Sequence, residues 1–316
     1  MEHFETDLEE KKVLPKEVKN SNAVVLISLF TYLCFSFGIA VLQELFGEKI
    51  PWLKSMAVNA ISGEVGMILP AVIYLLKRKE NWRKQLGCHK IKISTFFLLI
   101  IFSYMIMPLM NVLSAVTMLF SKNVIGDTLQ QMTGTYSSFS SLIIIALIPC
   151  LLEEFMYRGF VYGTYARYNK RFGIFLSGLL FGLVHMNINQ FAYAFAMGMI
   201  FAMLIEATGS VWSPVIVHFC INGTSVMMQY AAQGAAGNDA ETADKTVLLM
   251  AVAVWMGIAA ITTAIAVLLY YAIAKNEGKV QNVKEIWSSK KGTKLVSLPL
   301  VFTIVICIAF MWQLSF

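Results

Sequence analysis

Charge is scarce in this sequence: Asp, Glu, Lys and Arg together make up 14% of its 316 residues. A soluble domain of that length needs far more to cover its surface. Histidine is rare, with four in all, and proline occurs seven times. The five cysteines (Cys34, Cys88, Cys150, Cys220 and Cys307) are odd in number, form no CxxC pair, and lie inside apolar runs except for Cys88. That argues against a disulfide framework and against a thiolate zinc site. The net charge is +6, yet no basic stripe with interleaved aromatics exists, so nothing points to a nucleic-acid surface. Internal repeats and low-complexity segments are absent as well.

Apolar residues are abundant. They make up 58% of the chain, mean hydropathy is +0.67, and they fall in runs of about 20. A helix of that length, at ~1.5 Å per residue, crosses a bilayer core. Nine candidate spans follow, at 23–46, 57–76, 94–120, 139–160, 172–187, 190–207, 211–231, 247–274 and 295–315. The expected fold is an all-α, polytopic transmembrane helix bundle of about nine spans, eight of them core. Residues 1–22 read as a polar cytoplasmic tail, and 23–316 as one transmembrane domain. The first apolar run is of full spanning length, so it reads as a permanent anchor rather than a cleaved signal. Of the 25 Lys and Arg residues, 21 fall in alternate segments that include residues 1–22. The positive-inside rule then puts the N-terminus inside and the C-terminus outside. The Gly-, Ser- and Thr-rich stretches 121–140 and 233–246 read as solvated outer loops.

Ionisable groups at membrane depth cost several kcal/mol each or more, so each needs a reason. Within the spans these are Glu64, Glu153, Glu154, His185 and His218, with Arg158 and Glu206 near span ends. Glu64 and Glu206, each alone in its span, read as polar glue between helices. The cluster in the fourth, fifth and seventh spans is more orderly. Residues four apart share a helix face, so Glu154 can pair with Arg158, whereas Glu153 points about 100° away with no basic partner on its own face. Glu154 is then a structural anion and Glu153 a free carboxylate suited to general base work. Phe181 lies one turn before His185 and can wall the imidazole against lipid. His218 and Asn222, again four apart, share a face and suit donation to a developing oxyanion.

These elements read EExxxR (Glu153, Glu154, Arg158), FxxxH (Phe181, His185) and HxxxN (His218, Asn222). In this order and spacing they resemble the CPBP family of intramembrane endopeptidases, which covers CAAX prenyl endopeptidases and the bacteriocin-processing Abi proteins. The resemblance covers roughly residues 139–231. It implies peptide-bond hydrolysis in a membrane-associated protein or peptide, in the cell membrane. On that model Glu153 and His185 activate a water while His218 and Asn222 stabilise the oxyanion. Other intramembrane protease chemistries fit worse, because the chain has no HExxH, no GxSG and no GxGD. No cofactor is required on this reading. Zinc is the alternative, held by Glu153, His185 and His218, although no ligand pair has zincin spacing. Two rival functions remain open from sequence: a catalytically silent immunity or scaffold protein, and a proton-coupled transporter.

Overall fold

The computed structural model describes residues 14–78, 86–121, 124–235, 245–288 and 294–315. Among them every regular element is a helix. In chain order these are α1 (Lys16–Phe46), α2 (Met56–Lys77), α3 (Ile93–Met118), α4 (Val124–Thr135), α5 (Ser138–Tyr165), α6 (Lys170–Val184), α7 (Ile188–Thr208), α8 (Trp212–Ala235), α9 (Lys245–Asn276), α10 (Val280–Ser288) and α11 (Leu298–Ser315).

All nine expected spans correspond to helices. Seven of them, α1, α2, α3, α5, α7, α9 and α11, are long and apolar enough to cross a membrane. The other two differ for separate reasons. Helix α6 has 15 residues, about 22 Å of helix against a hydrocarbon core of about 30 Å. Helix α8 has 24 residues but carries His218, Asn222, Thr224, Ser225 and Gln229 along its length. Large side chains such as Phe37, Leu268 and Trp312 are 73%, 71% and 68% exposed, as expected of surfaces that face lipid rather than water.

Local chemistry sets several boundaries. Asn169 caps α6 by accepting from the Phe172 N–H at 3.0 Å, and Asn187 caps α7 by accepting from the Gln190 N–H at 3.1 Å. Gly209 closes α7 in the left-handed conformation, φ 71°. Helices α6 and α7 cross where Gly198 meets Gly178. A Cβ on Gly198 would stand 2.6 Å from the Gly178 Cα, so only glycine permits the approach that brings α6 close to α7.

Two sequence expectations change. The first helix begins at Lys16 rather than near Ala23, and Asn22 is buried, its amide donating to Ser297 Oγ at 2.7 Å and its carbonyl accepting from the Tyr165 hydroxyl. Residues 16–22 thus belong to the bundle, because Asn22 finds polar partners on α5 and next to α11. The stretch 121–140, expected as a solvated loop, instead contains α4. Its polar composition hid a helical face on which Leu129 and Met132 turn inward to line the central cavity. Most of 233–246 falls on residues 236–244, outside the described residues.

Candidate active site

Helix α5 carries the two glutamates and is not uniform. It is π-helical over Leu142–Leu147, α-helical over Ile148–Glu154, and π-helical again over Phe155–Tyr162. Pro149 accounts for the first widening: it offers no N–H to the turn before it, and an i→i+5 pattern accommodates the freed carbonyl. Glu153 and Glu154 therefore sit at an α-to-π junction, both buried.

The Glu154–Arg158 pair forms as the spacing predicts. Arg158 Nη1 donates to Glu154 Oε1 at 3.0 Å, and neither side chain is exposed. The rest of the guanidinium rests on aromatic faces, with Cζ 4.2 Å from the Phe181 ring centre and 5.0 Å from that of Phe201. Arg158 Nε and Nη2 have no hydrogen-bond partner, so these ring contacts stand in for acceptors.

The same Glu154 oxygen also accepts from His218 Nδ1 at 2.9 Å. This bond crosses between α5 and α8 and could not be read from spacing along either helix. It fixes the imidazole: with Nδ1 donating, Nε2 is the nitrogen that accepts from Asn222 Nδ2 at 3.0 Å. Nε2 also lies 3.6 Å from Glu153 Oε2. Glu153 thus has no partner on its own helix, as expected, and instead faces His218 from across the cavity.

His185 is the C-terminal residue of the α6 turn. Its Nδ1 donates to the Phe181 carbonyl at 2.7 Å, which leaves Nε2 as an acceptor. Phe181 lies edge-on to both imidazoles, at 5.1 Å from His185 and 5.9 Å from His218. The residue after His185, Met186, takes a left-handed φ of 50°. A non-glycine residue there costs about 1–2 kcal/mol, and such strain is typical of a functional site.

Glu153, His185, His218 and Asn222 all line one cavity of about 440 Å³. Its walls extend beyond the three spans that carry the motif residues. Helix α2 contributes Glu64, α3 contributes Asn111 and Ser114, α4 contributes Leu129 and Met132, and α7 contributes Asn189 and Tyr193. Asn189 is held in place by bonds from its amide to the Ser114 carbonyl and to Thr117 Oγ1, each at 2.9 Å. Its chain position gave no signal of this. Glu64 did give one, as a lone acid in an apolar run, but the glue reading does not describe it: its Oε2 is buried without a partner. Glu206 does behave as glue, accepting from the Tyr162 hydroxyl at 2.6 Å and from Lys170 Nζ at 2.8 Å.

Among the described residues no three His, Cys, Asp or Glu side chains converge as ligands. Both ring nitrogens of His218 and one of His185 are already engaged by protein groups.

Fold and site together define a polytopic helical membrane protein with a buried carboxylate–histidine cluster on a cavity within the bundle. Comparison with known proteins places that cluster further. Residues 135–224 match the family described as type II CAAX prenyl endopeptidase Rce1-like. A stretch of 89 residues is 32% identical to "Putative membrane peptidase YdiL" of Bacillus subtilis (strain 168), covering 28% of this chain and 36% of that protein. The chain thus spans little more than a third of the length of the curated relative it matches. No solved structure matches the chain. The matched segment 135–224 holds all seven motif residues.

Proposed function

We propose that this protein is a CPBP-type intramembrane endopeptidase that hydrolyses a peptide bond in a membrane-associated protein or peptide with a water activated by Glu153 and His185. The observation that carries the reading is the convergence, on one cavity of about 440 Å³ inside an apolar bundle, of a carboxylate with no partner on its own helix, two oriented imidazoles and a carboxamide.

Each group has a task that its geometry suits. The free Nε2 of His185 accepts a hydrogen from the water and turns a lone pair toward the scissile carbonyl. Glu153 removes the other proton as the oxygen attacks. One N–H of Asn222 is taken by His218 Nε2, and the second is available to the oxyanion. The Glu154 carboxylate holds His218 in one tautomer and stabilises the imidazolium that forms if Nε2 takes up a proton. The carboxylate of a serine-protease triad does the same for its histidine. No step needs a metal ion.

The test is a comparison of membrane peptides from cells carrying wild type or Glu153→Gln. A peptide or tail that accumulates uncleaved only in the variant names the substrate. With that substrate and purified protein, Glu153→Gln should slow hydrolysis by about 10² or more, and His185→Ala should do the same, because both address one water. Activity should survive exhaustive removal of divalent ions. Wild-type rates from Glu153→Gln would overturn the reading, and recovery specific to zinc would overturn its metal-free form.

A further inference from the structure

Helix α2 supplies a carboxyl for which the mechanism above has no task. Glu64 lines the same cavity as Glu153, and α2 packs against the α-helical turn of α5 that carries Glu153. Its Oε2 is buried with no donor to meet it. The charges around it leave nothing to offset an anion. Arg158 makes its ion pair with Glu154. His218 stands between Glu154 and Glu153 at 2.9 and 3.6 Å. His185 is committed through Nδ1 to the Phe181 carbonyl. Tyr32, which faces α2 from α1 beside Gly63, and Tyr157 on α5 bring no positive charge. Among the described residues no Lys or Arg forms an ion pair with Glu64. A carboxylate with a bare buried oxygen is costly, and two carboxyls sharing one desolvated site cannot both ionise freely.

We propose that Glu64 holds a proton in the resting protein and delivers it to the leaving amine, so that the two carboxyls of the cavity divide general acid from general base. The proposal rests on the reading of Glu153 as the base. Glu153 takes one proton from water as the hydroxide oxygen bonds to the carbonyl carbon, and the carbonyl electron pair moves to oxygen. When the oxyanion collapses, the C–N bond breaks. Its electron pair stays on nitrogen, which takes the Glu64 proton and leaves as a neutral amine. Glu153 now holds a proton and Glu64 is the anion. A single transfer from Glu153 to Glu64 across the cavity restores both groups.

Infrared spectroscopy of the purified protein in lipid nanodiscs at neutral pH tests the resting proton without any substrate. The carbonyl stretch of a protonated carboxyl, identified by its shift in D₂O, should be present in wild type and in Glu153→Gln and missing from Glu64→Gln. Should Glu64→Gln fail to fold, Glu64→Asp should move the band. A band that neither variant alters shows Glu64 ionised and overturns the proposal. Kinetics test the acid role with two probes, S-farnesyl-cysteine joined to a tripeptide and the same acyl group as a nitrophenyl ester, whose leaving group needs no proton. Glu64→Gln should slow peptide hydrolysis by about 10², and at least tenfold more than it slows the ester. Equal slowing of both probes, or of neither, rejects the acid role. Glu153→Gln should slow both; peptide cleavage by it at the wild-type rate would instead remove the base reading.

Discussion

Replacing Arg158 by Met should destabilise the protein by about 3–5 kcal/mol, the usual cost of breaking a buried ion pair from one side. The structure shows where that comes from. The guanidinium and the Glu154 carboxylate meet at 3.0 Å with neither side chain exposed. At that distance, with an effective dielectric constant of ~20, their attraction is about 5–6 kcal/mol. The ring faces of Phe181 and Phe201 at 4.2 and 5.0 Å add up to ~2 kcal/mol for a desolvated cation. Methionine keeps some of the packing, and His218, 2.9 Å from the same oxygen, can take a proton and recover part of the charge balance, so the net loss falls below the sum. Neutralising both partners, in Glu154→Gln with Arg158→Met, should recover most of the stability, since no buried charge is then left alone. Activity should not return, because a neutral amide at 154 cannot hold His218 as the carboxylate does. Denaturant-induced unfolding in mixed micelles, with hydrolysis measured in parallel, reads both quantities. The argument is refuted if the Arg158→Met protein is as stable as wild type, or if the double variant is no more stable than the single one.

Three further outcomes follow from the geometry. Asn222→Ala should lower kcat by about 10²–10³ with little change in KM, as for other oxyanion donors; a pure KM effect in steady-state kinetics would place Asn222 in ground-state binding. Gly198→Val should cost about 1–3 kcal/mol or disrupt α6–α7 packing outright, because the first added carbon already stands 2.6 Å from the Gly178 Cα; an unchanged Tm would contradict that contact. Topology reporters fused beside Lys92 and at Gly278 should give the same, cytoplasmic answer, because the Lys92 N–H donates to Glu277 Oε1 at 2.9 Å and the basic-residue bias puts both segments inside. A reporter at Ser55 should give the opposite one.

Some of this protein was legible in the chain because it depends only on local helix geometry. Long apolar runs with few charges require a bilayer, since no water-facing surface can be made from them, and seven helices meet that requirement. The pairing of Glu154 with Arg158, the edge contact of Phe181 with His185 and the shared face of His218 and Asn222 are all i, i+4 relations within one helix, and all three appear in the structure. Contacts between helices were not legible, because they depend on rotation, depth and crossing angle, which the period of a single helix does not encode. Only the packed bundle brings His218 of α8 to Glu154 of α5, puts Glu64 of α2 on the same cavity as Glu153, and adds α4 to its walls. The π-helical turns on either side of the two glutamates add to this. Each widening changes which face of α5 meets its neighbours, so an ideal helical wheel cannot say what Glu153 looks toward. The chain alone determined which residues could do chemistry in a membrane; which of them meet was decided by how the helices pack.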